Sequence, residues 1–116
     1  MRIYTYSKCS TCRKAVKWLG ERGLKFEEIP IRETPPTKAE LRRMLGACGG
    51  DLRRLFNTSG GDYRELKLGE RLSSMSEDEA LDLLVANGNL VKRPFLLDGK
   101  GGLVGFKEPE WEAYFG

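Results

Sequence analysis

The 116-residue sequence predicts an α/β fold in which helices flank a four-stranded mixed sheet that carries a helical insertion. Three observations lead to this prediction. The chain opens with a β-type segment, an amphipathic helix and a second short strand. Residues 37–88 then show helical patterns and no strand pattern. Residues 95–106 return to two β-type segments around a glycine-rich loop, and a last helix follows.

The first three elements form a βαβ unit. Aromatic and β-branched residues predict a first strand over Arg2–Tyr6. A helix is expected from Thr11 to about Leu19, since apolar residues recur there at helical spacing. That face carries Cys12, Ala15, Val16 and Leu19. A second strand over Phe26–Ile31 follows this crossover helix, so the first two strands should be parallel.

The insertion follows Pro35-Pro36 and begins with a helix start signal. Thr37 and Glu40 have the spacing of a capping box, in which each side chain satisfies a free backbone amide of the other residue. Ser76 and Glu79 repeat that spacing, which predicts a second helix start. Asp51 is expected to cap a short helix between the two.

The last third of the chain predicts a hairpin and a closing helix. Phe95–Leu97 and Leu103–Phe106 flank a glycine-rich loop, and Pro109 suits the first turn of the final helix. A chain of this length forms one domain, 1–116, with 37–88 as its helical insertion. The element order is a thioredoxin-like layout.

Cys9 and Cys12 form a C-x-x-C motif where the first strand gives way to the first helix. Two thiols at this spacing can close into a disulfide, and free backbone N–H groups at a helix start can hold the first as a thiolate. With three cysteines and no histidine, the chain lacks the usual ligands of a zinc site. We therefore expect redox chemistry and no bound metal, and we interpret Cys48 as a small apolar loop residue.

Composition and charge narrow the function classes. The net charge of +3 comes from 20 basic and 17 acidic residues that are mixed along the chain, which is typical of a solvated surface and not of a nucleic-acid interface. The apolar runs are too short for a membrane span. The chain begins without a signal-type segment, and we expect a cytoplasmic monomer. Without histidine, any activation of Cys9 must come from helix amides, arginine or lysine.

Arg93-Pro94 lies directly before the third strand, and two interpretations stay open. In thioredoxin-like folds a cis proline at this place lies beside the C-x-x-C, and Arg93 would then point toward Cys9. Its guanidinium would lower the pKa of Cys9 and hold an oxyanion or a carboxylate. Alternatively, Arg93 is a surface arginine that precedes a rigid turn.

Four segments together resemble the ArsC/Spx family, which contains glutaredoxin-dependent arsenate reductases and Spx-type transcriptional regulators. The resemblance covers essentially the whole chain and implies a thioredoxin-like fold with an inserted helical part. It rests on Tyr6–Ala15, Leu55–Gly60 with Tyr63, Leu90–Pro94 and Val104–Lys107.

The resemblance implies specific site residues. The arsenate reductases use one cysteine, at the position of Cys9, and three arginines around the anion; Arg93 matches the arginine before the proline. Asn57 occupies the segment of the second arginine, and no arginine occurs near Gly105-Phe106. Arg64 and Lys107 are the candidates to compensate, and efficient arsenate reduction is in doubt.

Two hypotheses follow from the dithiol. The first is an ArsC-like thiol-disulfide oxidoreductase or glutathione-dependent reductase, with Cys9 as nucleophile, Cys12 as resolving thiol and Arg93 on the anionic part of the substrate. Ser10, Thr11 and Pro94 complete this site as binding residues. No cofactor is expected to be bound; glutathione is a possible co-substrate, and glutathione, glutaredoxin or thioredoxin are the possible reductants. The second hypothesis is an Spx-type redox sensor that binds the C-terminal domain of the RNA polymerase α subunit.

Overall fold

The sheet is built around the first strand. In the computed structural model, which describes residues 1–116, the strands are β1 Arg2–Thr5, β2 Glu27–Pro30, β3 Phe95–Leu97 and β4 Gly102–Val104. Their order across the sheet is β2-β1-β3-β4. Strand β2 is parallel to β1, and the other two pairs are antiparallel. The predicted four-stranded mixed sheet is confirmed.

Six α-helices and three short 3-10 helices surround this sheet. The α-helices are α1 Ser10–Glu21, α2 Lys38–Ala47, α3 Gly61–Glu65, α4 Leu68–Arg71, α5 Glu77–Ala86 and α6 Glu108–Phe115. The 3-10 helices are Leu52–Leu55, Leu72–Ser74 and Gly88–Leu90. Between β2 and β3 the chain forms only helices and loops, apart from one isolated bridge between Phe56 and Val91.

Alternation along the strands divides the interior into two cores, one on each face of the sheet. Ile3 pairs with Leu96, and Leu96 with Leu103, and this row packs on α1 and α6 around Trp18 and Trp111. The neighbouring row faces the other way into a larger core with the insertion. That row consists of Tyr4, Phe95 and Val104, and it packs with Leu41, Met44, Leu81 and Leu84. The insertion therefore packs on the face of the sheet that carries Tyr4, Phe95 and Val104.

The helix starts of the insertion follow the sequence signals. The Thr37 amide donates to Glu40 at 2.9 Å, and the Glu40 amide donates to the Thr37 hydroxyl at 3.2 Å. Ser76 and Glu79 exchange the same two bonds, each at 3.1 Å. Both capping boxes are confirmed, and so is the Asp51 cap, which accepts a bond from the Arg53 amide at 3.1 Å.

Element boundaries differ from the expectations at five strand ends. Ile31 lies in the turn after β2, and β4 begins at Gly102, one residue before the expected Leu103. Tyr6 lies outside β1, because its carbonyl accepts the Cys9 amide at 3.0 Å in the turn that leads into α1. Phe26 precedes β2 and packs on the smaller core. Gly105, at φ 70°, turns the chain directly after β4, so Phe106 leaves the sheet and its ring contacts Trp111 with a centroid separation of 5.0 Å. None of the helices combines the length and the apolar character that crossing a membrane requires.

A short antiparallel contact joins the insertion to the segment before β3. The Asn57 amide donates to the Leu90 carbonyl at 2.7 Å, and the Lys92 amide donates to the Leu55 carbonyl at 2.8 Å. These bonds flank the Phe56–Val91 bridge. The 3-10 helix Leu52–Leu55 is thereby attached one residue away from Arg93.

Candidate active site

Cys9 is the N-cap residue of α1. Its backbone is extended, with φ −95° and ψ 112°, and its carbonyl accepts the Arg13 amide at 3.1 Å as the first bond of the helix. The sulfur accepts the Cys12 amide at 3.3 Å, which is the role that serine or aspartate oxygen plays at most helix starts. The half-buried Cys9 thiol therefore lies at the positive end of the helix dipole.

The surroundings of Cys9 favour its thiolate. Burial raises the pKa of this thiol, but hydrogen bonds from the Cys12 thiol and amide, together with the charge and hydrogen bond of Arg93, outweigh burial and lower the pKa overall. Each of these groups stabilises negative charge on the sulfur. A lowered pKa at an accessible thiol is the usual property of a nucleophilic cysteine.

Cys12 has the opposite environment. Its side chain is 1% exposed and lies in the interior behind Cys9. Burial and the hydrogen bond to Cys9 raise its pKa to about 12. The thiol of Cys12 is thus protonated, whereas its amide donates to the Cys9 sulfur, and the two free thiols differ in both access and acidity.

Arg93 lies next to this pair. The Arg93–Pro94 peptide is cis, and the Pro94 carbonyl accepts the Gly105 amide at 2.9 Å. The guanidinium carbon lies 4.9 Å from the centre of the Tyr6 ring. One guanidinium nitrogen, Nη1, is buried without a hydrogen-bond partner in the protein. A buried donor without a partner is costly, and the Arg93 residue as a whole is half-buried and lines the cleft in front of Cys9.

Tyr6 is a contact that the sequence analysis did not identify. Its hydroxyl accepts a hydrogen bond from Arg32 at 2.9 Å, and the Arg32 guanidinium carbon lies 5.0 Å from the ring centre. The ring therefore contacts two guanidinium groups, those of Arg32 and Arg93. Aromatic faces attract cations at this distance, so Tyr6 helps to orient the Arg93 side chain.

A cleft of about 720 Å³ opens in front of Cys9. Ser10 and Thr11 line it beside the thiol, whereas Pro94 is buried and does not line it. Six cationic side chains and two carboxylates also line the cleft. They are Lys8, Arg53, Arg54, Lys92, Arg93 and Lys107, with Asp51 and Glu110. The cleft is therefore strongly cationic.

Of the two cations expected to compensate for the missing arginines, only one lies at the cleft. Lys107 lines the cleft, but Arg64 does not; its guanidinium donates to the Ser59 carbonyl at 3.1 Å. Asn57 lines the cleft as an uncharged side chain. Arg53 and Arg54 were missed, although their position two and three residues after the predicted Asp51 cap was a signal that they are exposed on a short helix.

Two further observations concern ligands of other kinds. The structure contains no group of three or more His, Cys, Asp or Glu side chains that could hold a metal ion. Cys48 is buried at the C-cap of α2, and burial raises the pKa of its thiol. Cys48 is therefore a core residue with no acid–base property that favours reactivity.

Comparison with known proteins supports the resemblance drawn from the sequence. The model of the ArsC family matches residues 4–114. The uncharacterised protein YusI of Bacillus subtilis is 53% identical over 112 residues, which cover 97% of this chain and 95% of that protein. The global transcriptional regulator Spx of Streptococcus agalactiae is 29% identical, covering 97% of this chain and 80% of the regulator. A crystal structure of an ArsC family related protein from Bacteroides fragilis is 43% identical with a TM-score of 0.90, covering 97% and 94% of the two chains.

Proposed function

The chain belongs to the ArsC family of thiol-redox proteins, and we propose that it is a thiol-disulfide reductase with Cys9 as nucleophile and Cys12 as resolving thiol. The observation that carries this proposal is the placement of the two thiols: Cys9 lines the cleft at the start of α1, and Cys12 lies behind it, 1% exposed. The pKa of the accessible Cys9 is lowered, while that of the buried Cys12 is raised to about 12. A nucleophile needs the first property, and a thiol that reacts only within the protein tolerates the second.

The first step forms a mixed disulfide. The Cys9 thiolate attacks one sulfur of a substrate disulfide, the S–S bond of the substrate breaks, and one substrate thiolate leaves with the electron pair. Ser10 and Thr11 are the first two residues of α1 after Cys9, and the free amides of this first helical turn stabilise negative charge at the reacting sulfur. Arg93 lines the cleft and binds the anionic part of the substrate through its guanidinium.

The second step releases the substrate. Cys12 attacks the Cys9 sulfur, and the S–S bond between Cys9 and the substrate breaks as the 9–12 disulfide forms. The substrate sulfur leaves with the electron pair and takes the proton of Cys12. The protein pair has then lost two electrons and the substrate disulfide has gained them. A two-electron thiol donor must return the pair to the dithiol, and glutathione, glutaredoxin or thioredoxin are the candidates for this role. Since Cys12 is held three residues away, the mixed disulfide should be short-lived.

The cleft suits a disulfide substrate better than it suits arsenate. A compact tetrahedral oxyanion needs several cations that converge on one point beside the nucleophile. Arg93 is half-buried there, but Asn57 is neutral and no arginine follows Gly105. A disulfide substrate requires fewer converging charges, which is why we favour it.

Substitution of the resolving thiol tests this mechanism. Cys12→Ser keeps a hydroxyl donor for Cys9 but removes the second sulfur. With glutathione disulfide, we expect mass spectrometry to find one glutathione bound at Cys9 in this variant and the 9–12 disulfide without adduct in the parent. Cys48→Ala is the matched control and should behave as the parent. Turnover of Cys12→Ser at the parental rate, with no adduct, would contradict the mechanism.

A second candidate function is a redox-responsive regulator of the Spx type. It is favoured by the similarity to the regulator Spx over 97% of this chain and by the dithiol, which suits a switch as well as an enzyme. Its partner would be the C-terminal domain of the RNA polymerase α subunit. A pull-down with that domain, using reduced and oxidised protein, tests the idea: binding in neither state would remove it.

A further inference from the structure

The cationic side chains of the cleft lie at two depths. Arg93 is half-buried beside Cys9, whereas Arg53, Arg54 and Lys107 line the same cleft as exposed side chains. We call these three residues the rim cations. Arg53 and Arg54 belong to the 3-10 helix of the insertion, and Lys107 is the N-cap residue of α6. The rim cations therefore come from two separate parts of the chain.

The rim cations are poorly neutralised within the protein. Arg53 and Lys107 form no ion pair. Arg54 approaches Glu110 at 3.8 Å, and these two side chains are 46% and 40% exposed. Such an exposed and long contact is weak. Asp51, the other carboxylate of the cleft, accepts the Arg53 amide at its helix start. The rim thus keeps an excess of positive charge available to a ligand.

We propose that the rim cations form a subsite for the anionic tail of a small thiol, so that the substrates are disulfides of low-molecular-weight thiols with separated carboxylates. This inference rests on the proposed reductase function and names the substrate class of that site. The sulfur reaches Cys9 at the inner end, one carboxylate meets Arg93, and another meets the rim. The volume of about 720 Å³ suits a ligand of tripeptide size and far exceeds what a tetrahedral oxyanion fills.

Glu110 gives the subsite a specific competitor. A ligand carboxylate must share Arg54 with the Glu110 carboxylate, which lines the same cleft. Removing the Arg54 charge should therefore weaken the binding of anionic substrates, and removing the Glu110 charge should strengthen it. Opposite effects from two neighbouring residues distinguish a charge subsite from general damage to the fold.

The experiment compares two substrates that share one reacting bond. They are glutathione disulfide and the same disulfide with its carboxylates converted to ethyl esters. The rate at which each oxidises the reduced protein is measured by acid quenching and mass spectrometry. We expect the parent to react several-fold faster with the free acid, and the advantage to shrink as salt is raised.

The variants assign that advantage to the rim. Arg53→Gln and Arg54→Gln should each slow the reaction with the acid by about 1.5- to fivefold and leave the ester rate unchanged. Glu110→Gln should speed the reaction with the acid by a similar factor. Arg71→Gln is the matched control, since Arg71 is an exposed arginine of α4 that does not line the cleft.

Three outcomes would overturn the proposal. Equal rates with acid and ester, or equal slowing of both by the rim substitutions, would exclude a subsite for carboxylates while leaving the thiol chemistry intact. Arsenate and phosphate are also tested as protectants of Cys9 against oxidation. If they protect it equally against both substrates, and to the same extent in the rim variants, the site binds a compact oxyanion instead. Failure of both disulfides to oxidise the protein would remove the reductase function together with the subsite.

Discussion

Replacing Arg93 by glutamine tests the electrostatic origin of Cys9 reactivity. Glutamine keeps a planar, hydrogen-bonding side chain but removes the charge that contributes to the lowered pKa of Cys9. The pKa of Cys9 should therefore rise in Arg93→Gln. Alkylation of Cys9 by iodoacetamide should become slower at acidic and neutral pH, where less thiolate remains.

The size of the effect follows from the exposure of both groups. A hydrogen bond to a charged group contributes about 1.5–3 kcal/mol when it is desolvated. Cys9 and Arg93 are both half-buried, so solvent screening reduces this to about 1 kcal/mol. That energy lowers the ratio of thiolate to thiol about fivefold at a fixed pH. The remaining thiolate is more nucleophilic, with a Brønsted coefficient of about 0.4–0.5, so the observed rate should fall only about two- to threefold.

The assay is the pH dependence of Cys9 alkylation, read on the peptide that contains Cys9 by mass spectrometry. The pH series should span the ordinary cysteine pKa of about 8.5. We expect the two profiles to cross. Alkylation of Arg93→Gln should be slower than that of the parent at low pH and faster at high pH, where Cys9 is ionised in both proteins. Arg93→Lys should lie between them, because it keeps the charge but loses the guanidinium fork. Superimposed profiles of parent and Arg93→Gln would refute the role assigned to Arg93.

The remaining predictions concern stability. The Glu40 side chain is 13% exposed; burial raises its pKa, but hydrogen bonds, including that from the Tyr4 hydroxyl at 2.7 Å, lower it overall. Because the pKa is lower in the folded state, this stabilisation is complete above the unfolded pKa near 4.5 and is lost as pH falls through the folded pKa. Glu40→Gln should cost about 1 kcal/mol in urea unfolding at neutral pH and less in acid; an equal cost at both would contradict this. Gly88→Ala should cost about 2–3 kcal/mol, because its new Cβ would lie 2.0 Å from the Ile31 carbonyl oxygen, whereas Gly20→Ala, with nothing within 4 Å in α1, should stabilise by about 0.5–1 kcal/mol. Similar midpoints for the two glycine variants would show that the close approach at Gly88 is not rigid.

The fold was predictable because its signals are local. Capping boxes at Thr37 and Ser76 set the starts of the two principal helices of the insertion, and alternation in the strands separates the two cores. Strand ends were less accessible to prediction. Phe106 has the character of a strand residue, yet the positive φ of Gly105 and the aromatic contacts around Trp111 remove it from the sheet. Those are tertiary effects that a segment of sequence does not display.

In the site, too, local relations were predictable from the sequence and contacts between distant elements were not. The relation between Cys9 and Cys12 lies within one helical turn, so their spacing predicts that one thiol opens the helix and the other faces the interior. The role of Arg93 depended on its place before a proline and a strand. The contact of Tyr6 with Arg32, and the approach of the insertion to the cleft, come from separate elements that only packing brings together. No period or motif in the sequence marks such contacts.

In the proposed reductase mechanism, the pairing of an acidic and a protected thiol also sets the order of the two chemical steps. While Cys9 is a thiolate, it accepts the Cys12 hydrogen bond, and this bond and the Cys9 charge help to keep the pKa of Cys12 near 12. Formation of a mixed disulfide removes the negative charge from Cys9, so these two contributions vanish and burial alone opposes ionisation of Cys12. The resolving thiol is thus easier to deprotonate after substrate has bound to Cys9 than before it, and the departing thiolate is the nearest base. Because linkage is reciprocal, any change that loosens Cys12 from Cys9 must also raise the pKa of Cys9 and slow the first step at acidic and neutral pH. The two cysteines therefore act as one unit, and their separate contributions to the rate will not add.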